Sequence, residues 1–287
     1  MEVHAGRDDG HRLAGRVRPA PAASVPDAVS QALGQALPIW DIREEITDTL
    51  AVQNCLILAA PTGSTGYYSL LYADPKDRPR LLAIYAYRKT MNNILEANHE
   101  PAREAQLGWW DDELERLSNH KPRHPVTSAF LAYNDQHMPD STLYNILICT
   151  RNILTSISSH SNQLQSMYAS LGVAFGRLVA QSQGIVDDRA TVDLDLSCAN
   201  IAMAGFIERS MQPQFCDRTK TTIESIAKQA SMVHNTNHRT LCVAIEAKIF
   251  GAKCRLMLQH KPSRLMPIHK FLIAWRTKMA VSIRGEE

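Results

Sequence analysis

The chain has 287 residues, 45% hydrophobic and 21% charged, with a formal net charge of +2. Such values suit one large domain, or a domain with an appendage, that buries a core without staples, and they exclude bulk disorder. Near-neutral charge gives no reason to expect nucleic acid as a partner. The six cysteines form no Cys-x-x-Cys pair and read as free or buried thiols, and no segment approaches the roughly 18 to 20 uninterrupted apolar residues that span a bilayer.

Residues 1–36 are rich in Ala, Gly, Arg and Pro, and Pro19, Pro21 and Pro26 block any long helix. The stretch is expected to be a disordered or targeting tail. Arg7, Arg12, Arg16 and Arg18 suit a mitochondrial presequence, and Glu2, Asp8 and Asp9 count against one. Residues 37–63 are expected to be an appended segment: a short helix, a turn, an apolar strand-like run from Val52 to Pro61, and a Pro-Thr-Gly-Ser turn. This segment looks like the truncated approach to a helicase nucleotide site. The phosphate-reaching lysine is missing from Ser64-Thr65-Gly66-Tyr67, so nucleotide hydrolysis is rejected.

From residue 64 to 287 the period is helical. Leu81, Ile84, Tyr85, Arg88 and Leu95 approximate one stripe; Leu107, Trp110, Leu114 and Leu117 make another, ended by Pro122 and Pro125. Further helices are expected over residues 141–157, 164–185, 221–249 and 267–283. No alternating strand pattern follows residue 62, which predicts an all-α body. Asp111, Asp112, Glu113 and Glu115 read as the wet face of the second helix. Pro122 breaks the helix that would align His120 and His124 on a metal.

Between Gly66 and Val126 the order is an aromatic pair, an Ala-Tyr-Arg helix with the polar run Asn92, Asn93 and Glu96, and a Trp-Trp helix leading to Lys-Pro-Arg-His-Pro-Val. In that order and spacing the chain resembles the squalene/phytoene synthase family, all-helical proteins that join prenyl diphosphates head to head. The resemblance implies an isoprenoid-synthase-like helical bundle preceded by a short, poorly structured appendage. It also implies two aspartate-rich motifs on facing helices that hold Mg2+ against the leaving diphosphate. The first falls on Tyr85 to Glu96, where Asn92 and Asn93 replace the leading aspartates and Glu96 falls near the trailing acid. An amide offers magnesium a neutral oxygen and no charge. The second motif should follow Leu171-Gly172-Val173-Ala174-Phe175, which puts Ser182 and Gln183 where Arg and Asp are expected. Only Asp187 and Asp188 remain there as acids.

Depletion of both motifs implies a catalytically silent protein acting as a binding or assembly factor. Gln183 to Val186 and Ile226 to Ala230 are similar to the mitochondrial complex I assembly branch of the same fold. The alternative is a surviving Mg2+-dependent prenyltransferase using Glu96, Asp187 and Asp188 as metal ligands. A metal-free prenyl or lipid carrier is a third reading, with Tyr67, Tyr68, Tyr85 and Tyr87 lining the cavity or simply packing in the core. No cofactor is expected on the silent reading. Expected partners are a prenyl or lipid ligand, assembly intermediates of a respiratory complex, and a membrane surface met by Lys248 to Arg284, which holds nine Lys/Arg and no acid. The implied location is the mitochondrial matrix or inner-membrane periphery, or else the cytoplasm with membrane association.

Overall fold

The computed structural model describes residues 50–133, 140–158, 163–210, 217–233 and 238–284. The expected tail and residues 37–49 lie outside them. The described residues form eleven helices and no strand: α1 (Leu50–Ala59), α2 (Thr65–Leu70), α3 (Arg78–Glu96), α4 (Glu100–Ser118), α5 (Pro125–Tyr133), α6 (Asp140–Ser158), α7 (Leu164–Ser182), α8 (Asp188–Ser210), α9 (Asp217–Ser231), α10 (Leu241–Leu258) and α11 (Pro267–Arg284). They belong to a single compact unit.

Local chemistry sets the helix starts. Pro79 and Pro101 open α3 and α4, where the missing amide costs no intrahelical bond. Ser64 caps α2 by accepting a hydrogen bond from the Tyr67 amide at 3.0 Å. α5 takes its cap from another helix. The Glu113 carboxylate on α4 accepts the Arg123 and His124 amides, each at 2.7 Å, the Thr127 hydroxyl, and Arg116 Nε at 2.8 Å. Glu113 is fully buried, which corrects its reading as part of a wet face. Burial alone would raise its pKa, but those hydrogen bonds outweigh burial and hold it below the usual range. His120 closes α4 at a φ of 58° while His124 precedes α5, so the two histidines do not share a helix face.

The core centres on Tyr87 of α3. Its ring meets Trp110 of α4 at 5.2 Å, Phe130 of α5 at 6.0 Å and Phe175 of α7 at 6.3 Å, and its hydroxyl donates to Leu143 O on α6. α1 packs on α3 and α5 through buried Val52 and Cys55. The run expected to be strand-like is therefore a helix, whose buried residues recur three apart.

α7 and α8 pack antiparallel and close. A Cβ added at Gly172 would lie 2.4 Å from the Cys198 carbonyl oxygen, and one at Gly176 would lie 3.0 Å from an Asp195 oxygen. α8 also packs on α10, and α9 on α10, through a cluster including Ile207, Ile223, Ile226 and Met257. The single helix expected over residues 221–249 is two helices, α9 and α10. α8 is long and apolar enough to cross a membrane by composition, but it sits inside the bundle between α7 and α10. Among the described cysteines Cys55, Cys198, Cys242 and Cys254 are buried and unpaired. Burial pushes Cys55, Cys242 and Cys254 up to about 12, which makes them poor nucleophiles at neutral pH.

Candidate functional site

Helix directions decide which motif faces which. Arg80, near the start of α3, donates to Ser182 O at the end of α7, so α3 and α7 run antiparallel. α7 and α8 are antiparallel as well, since Gly172 opposes Cys198 while Tyr168 stacks on Phe206 at 4.5 Å. The C-terminal half of α3 therefore meets the C-terminal half of α8, where Glu96 and Arg209 form an ion pair at 3.5 Å. Arg209 also lies 5.8 Å above the Tyr168 ring.

The cavity at this junction is small, about 70 Å3. Arg88 and Asn92 of α3, Gly172 and Phe175 of α7, Arg209 of α8 and Glu246 of α10 are among its walls. Arg88 donates to the buried Glu246 carboxylate and lies 4.4 Å over the Tyr85 ring. Burial disfavours the charged guanidinium, and Glu246 outweighs it and keeps Arg88 ionised. Burial also raises Tyr85 well above the ordinary phenol range.

Within the first motif, Asn92 is half-buried at the cavity wall, Asn93 is exposed, and Glu96 is exposed and paired with Arg209. The residues read as the second motif lie elsewhere. Gln183 is the buried C-cap of α7, Gly184 turns the chain at a φ of 60°, and Asp187 and Asp188 are exposed where α8 begins. Ser182, at the end of α7 just before them, accepts from Arg80, which is twelve positions along α3 from Asn92, a distance of about 18 Å on a helix. The structure does not bring Glu96 together with Asp187 and Asp188. The stretch that does face the first motif is Ile207-Glu208-Arg209-Ser210 at the end of α8. Glu208 is not free to serve as a ligand, because Lys253 binds it at 2.9 Å and Ser263 at 3.0 Å.

None of the four tyrosines lines this cavity. Tyr87 is the core hub, Tyr85 lies buried beside Cys242, and Tyr67 and Tyr68 are buried edge to face at 5.2 Å. Its aromatic walls are Phe175 and Phe250. The resemblance had drawn attention to Phe175 in the motif lead-in, whereas nothing local in the sequence marks Phe250, Glu246 or Arg209.

Magnesium bound to a diphosphate needs several anionic oxygens converging on one space. Among the described residues no three His, Cys, Asp or Glu side chains converge in that way. At the α3–α8 junction the carboxylates Glu96 and Glu246 each face an arginine. The residues present do not fit a magnesium–diphosphate centre.

The all-helical bundle of the described residues is consistent with an isoprenoid-synthase-like fold. Residues 59–177 match the family described as squalene/phytoene synthase, and this stretch is a squalene/phytoene synthase family domain. No curated protein and no solved structure matches the chain significantly.

Proposed function

We propose that this squalene/phytoene-synthase-like protein is catalytically silent and acts by binding, as an assembly factor does. One observation carries the reading: the cavity between the first-motif helix and α8 is about 70 Å3, with the Arg88–Glu246 ion pair in its wall. Ligand pockets are commonly about 300–1,000 Å3, well above this volume, which supports the reading. The neutral Asn92 and Asn93, and Ser182 and Gln183 where the resemblance expects Arg and Asp, support the same reading. Each lost electrostatic contact to developing charge costs roughly 10²- to 10³-fold in rate.

Two proposals accompany this reading. Ile226 to Ala230, similar to the complex I assembly branch, supports a partner among respiratory-complex assembly intermediates. The arginines between Arg7 and Arg18 support a place in the mitochondrial matrix or at its inner membrane.

Incubating the protein with farnesyl or geranylgeranyl diphosphate and magnesium tests the silence. The expected result is no product above the protein-free control. Magnesium-dependent squalene, phytoene or a cyclopropyl intermediate would establish a prenyltransferase instead.

A further inference from the structure

α11 is apolar on two sides. Ala274, Thr277 and Val281 are buried, and the helix packs on α10 and α2. On the outside Ile268, Leu272, Trp275 and Met279 recur at i, i+4, i+7 and i+11, a single helical stripe in which each residue is 37–48% exposed. Beside it, between α10 and α11, lies an open groove of about 710 Å3 with Leu256, Leu265 and Ile273 in its wall. Arg255, Lys261, Arg264 and Arg276 also line that groove, all four exposed, and no acidic residue lines it. Among the described residues none of the four cations forms an ion pair, in contrast to Lys253, which is held by Glu208.

An outward apolar stripe containing a tryptophan and flanked by unopposed cations is the pattern of a surface that lies in a lipid interface. Apolar side chains enter the headgroup boundary, and arginine and lysine meet lipid phosphates. We propose that the α10–α11 face docks on an anionic phospholipid membrane, the stripe entering the interface and the groove taking one acyl chain beneath its cationic rim. Charge favours this occupant over a second copy of the chain. A two-fold interface on this face would set four unopposed cations against the same four. The inference stands on the α10–α11 face alone and does not depend on catalytic silence.

Flotation of the full chain with vesicles of phosphatidylcholine alone, and of phosphatidylcholine with phosphatidylglycerol, tests it. The protein should float with the anionic vesicles, release as salt rises, and stay unbound with neutral ones. Replacing Arg255, Arg264 and Arg276 by Gln should lower anionic binding roughly 100-fold at low salt, since each cation near such a surface contributes about fivefold. Ile268→Ser with Trp275→Ser should abolish it, and thermal melts of both variants should match the parent because these side chains are exposed. Brominated phosphatidylglycerol should quench fluorescence of the parent and leave Trp275→Phe unquenched, a readout that needs neither multiple variant. Equal flotation with neutral vesicles, undiminished binding of the triple variant, or a dimer that Trp275→Ser dissociates would each overturn the proposal.

Discussion

Two polar regions of this molecule differ in volume and in how their charges are met. At the α3–α8 junction about 70 Å3 remains, and the arginines there face carboxylates, Arg88 on Glu246 and Arg209 on Glu96. Between α10 and α11 about 710 Å3 lies open, and four cations line it with no acid among them. A buried charge with its partner in place, as in Arg88–Glu246, acts on the fold. An unopposed charge on an open apolar groove projects its field outward and acts on whatever arrives. The first region holds its charge within the bundle, and the second presents its charge to solvent.

The largest expected effect breaks the first region. Arg88→Leu leaves Glu246 buried without its cation and should cost about 3–5 kcal/mol in urea unfolding. Arg88→Leu with Glu246→Leu should recover most of that loss, since an apolar pair is often neutral or better than a buried ion pair. A silent single variant would show that this ion pair is not what fills the junction.

Glu113→Gln comes next, at about 2–3 kcal/mol, because a buried carboxylate bound by two amides, a hydroxyl and an arginine loses its charge-assisted acceptors. The same site sets a pH dependence. Its pKa is lower folded than unfolded, so its stabilisation is fully present above the ordinary carboxylate range and disappears as pH falls through the depressed folded value. Melting temperature should fall on acidification below about pH 4, and the Glu113→Gln variant should show a shallower fall.

Gly172→Ala should cost about 1–3 kcal/mol, since the new methyl meets the Cys198 carbonyl and forces α7 and α8 apart. Asn93→Asp should be the mildest change, within about 0.5 kcal/mol at an exposed position. It should also confer no calorimetric magnesium binding, because the other oxygens a metal needs do not converge there.

Much of the fold was legible because amphipathic helices announce themselves. The stripes through Leu81–Leu95 and Leu107–Leu117 became α3 and α4, and Pro267 opened α11 as expected. The helix that completes the candidate site did not announce itself. α8 carries Asp188, Asp193 and Asp195 among apolar residues that point all round the helix, because it is covered by α7 on one side and α10 on another. A helix without one apolar stripe leaves no 3.6-residue signal, so nothing local in the sequence marks Arg209. Glu113 was misread for a related reason. Its neighbours Asp112 and Glu115 are exposed, and only the fold shows that the amides before α5 reach inward to it. Val52 to Ala59 was ambiguous as a short apolar run, for which periodicity separates strand from helix poorly.

The closed junction is tested most directly by thermal unfolding with a non-cleavable thiodiphosphate analogue of farnesyl diphosphate, with and without magnesium. A ligand at about 100 times its Kd stabilises a folded protein by about 2.7 kcal/mol, easily seen as a higher melting temperature. No magnesium-dependent shift is expected at any analogue concentration. A saturable rise that requires magnesium and disappears in Asn92→Leu would show that the α3–α8 junction opens to a prenyl diphosphate, and would contradict the closed junction.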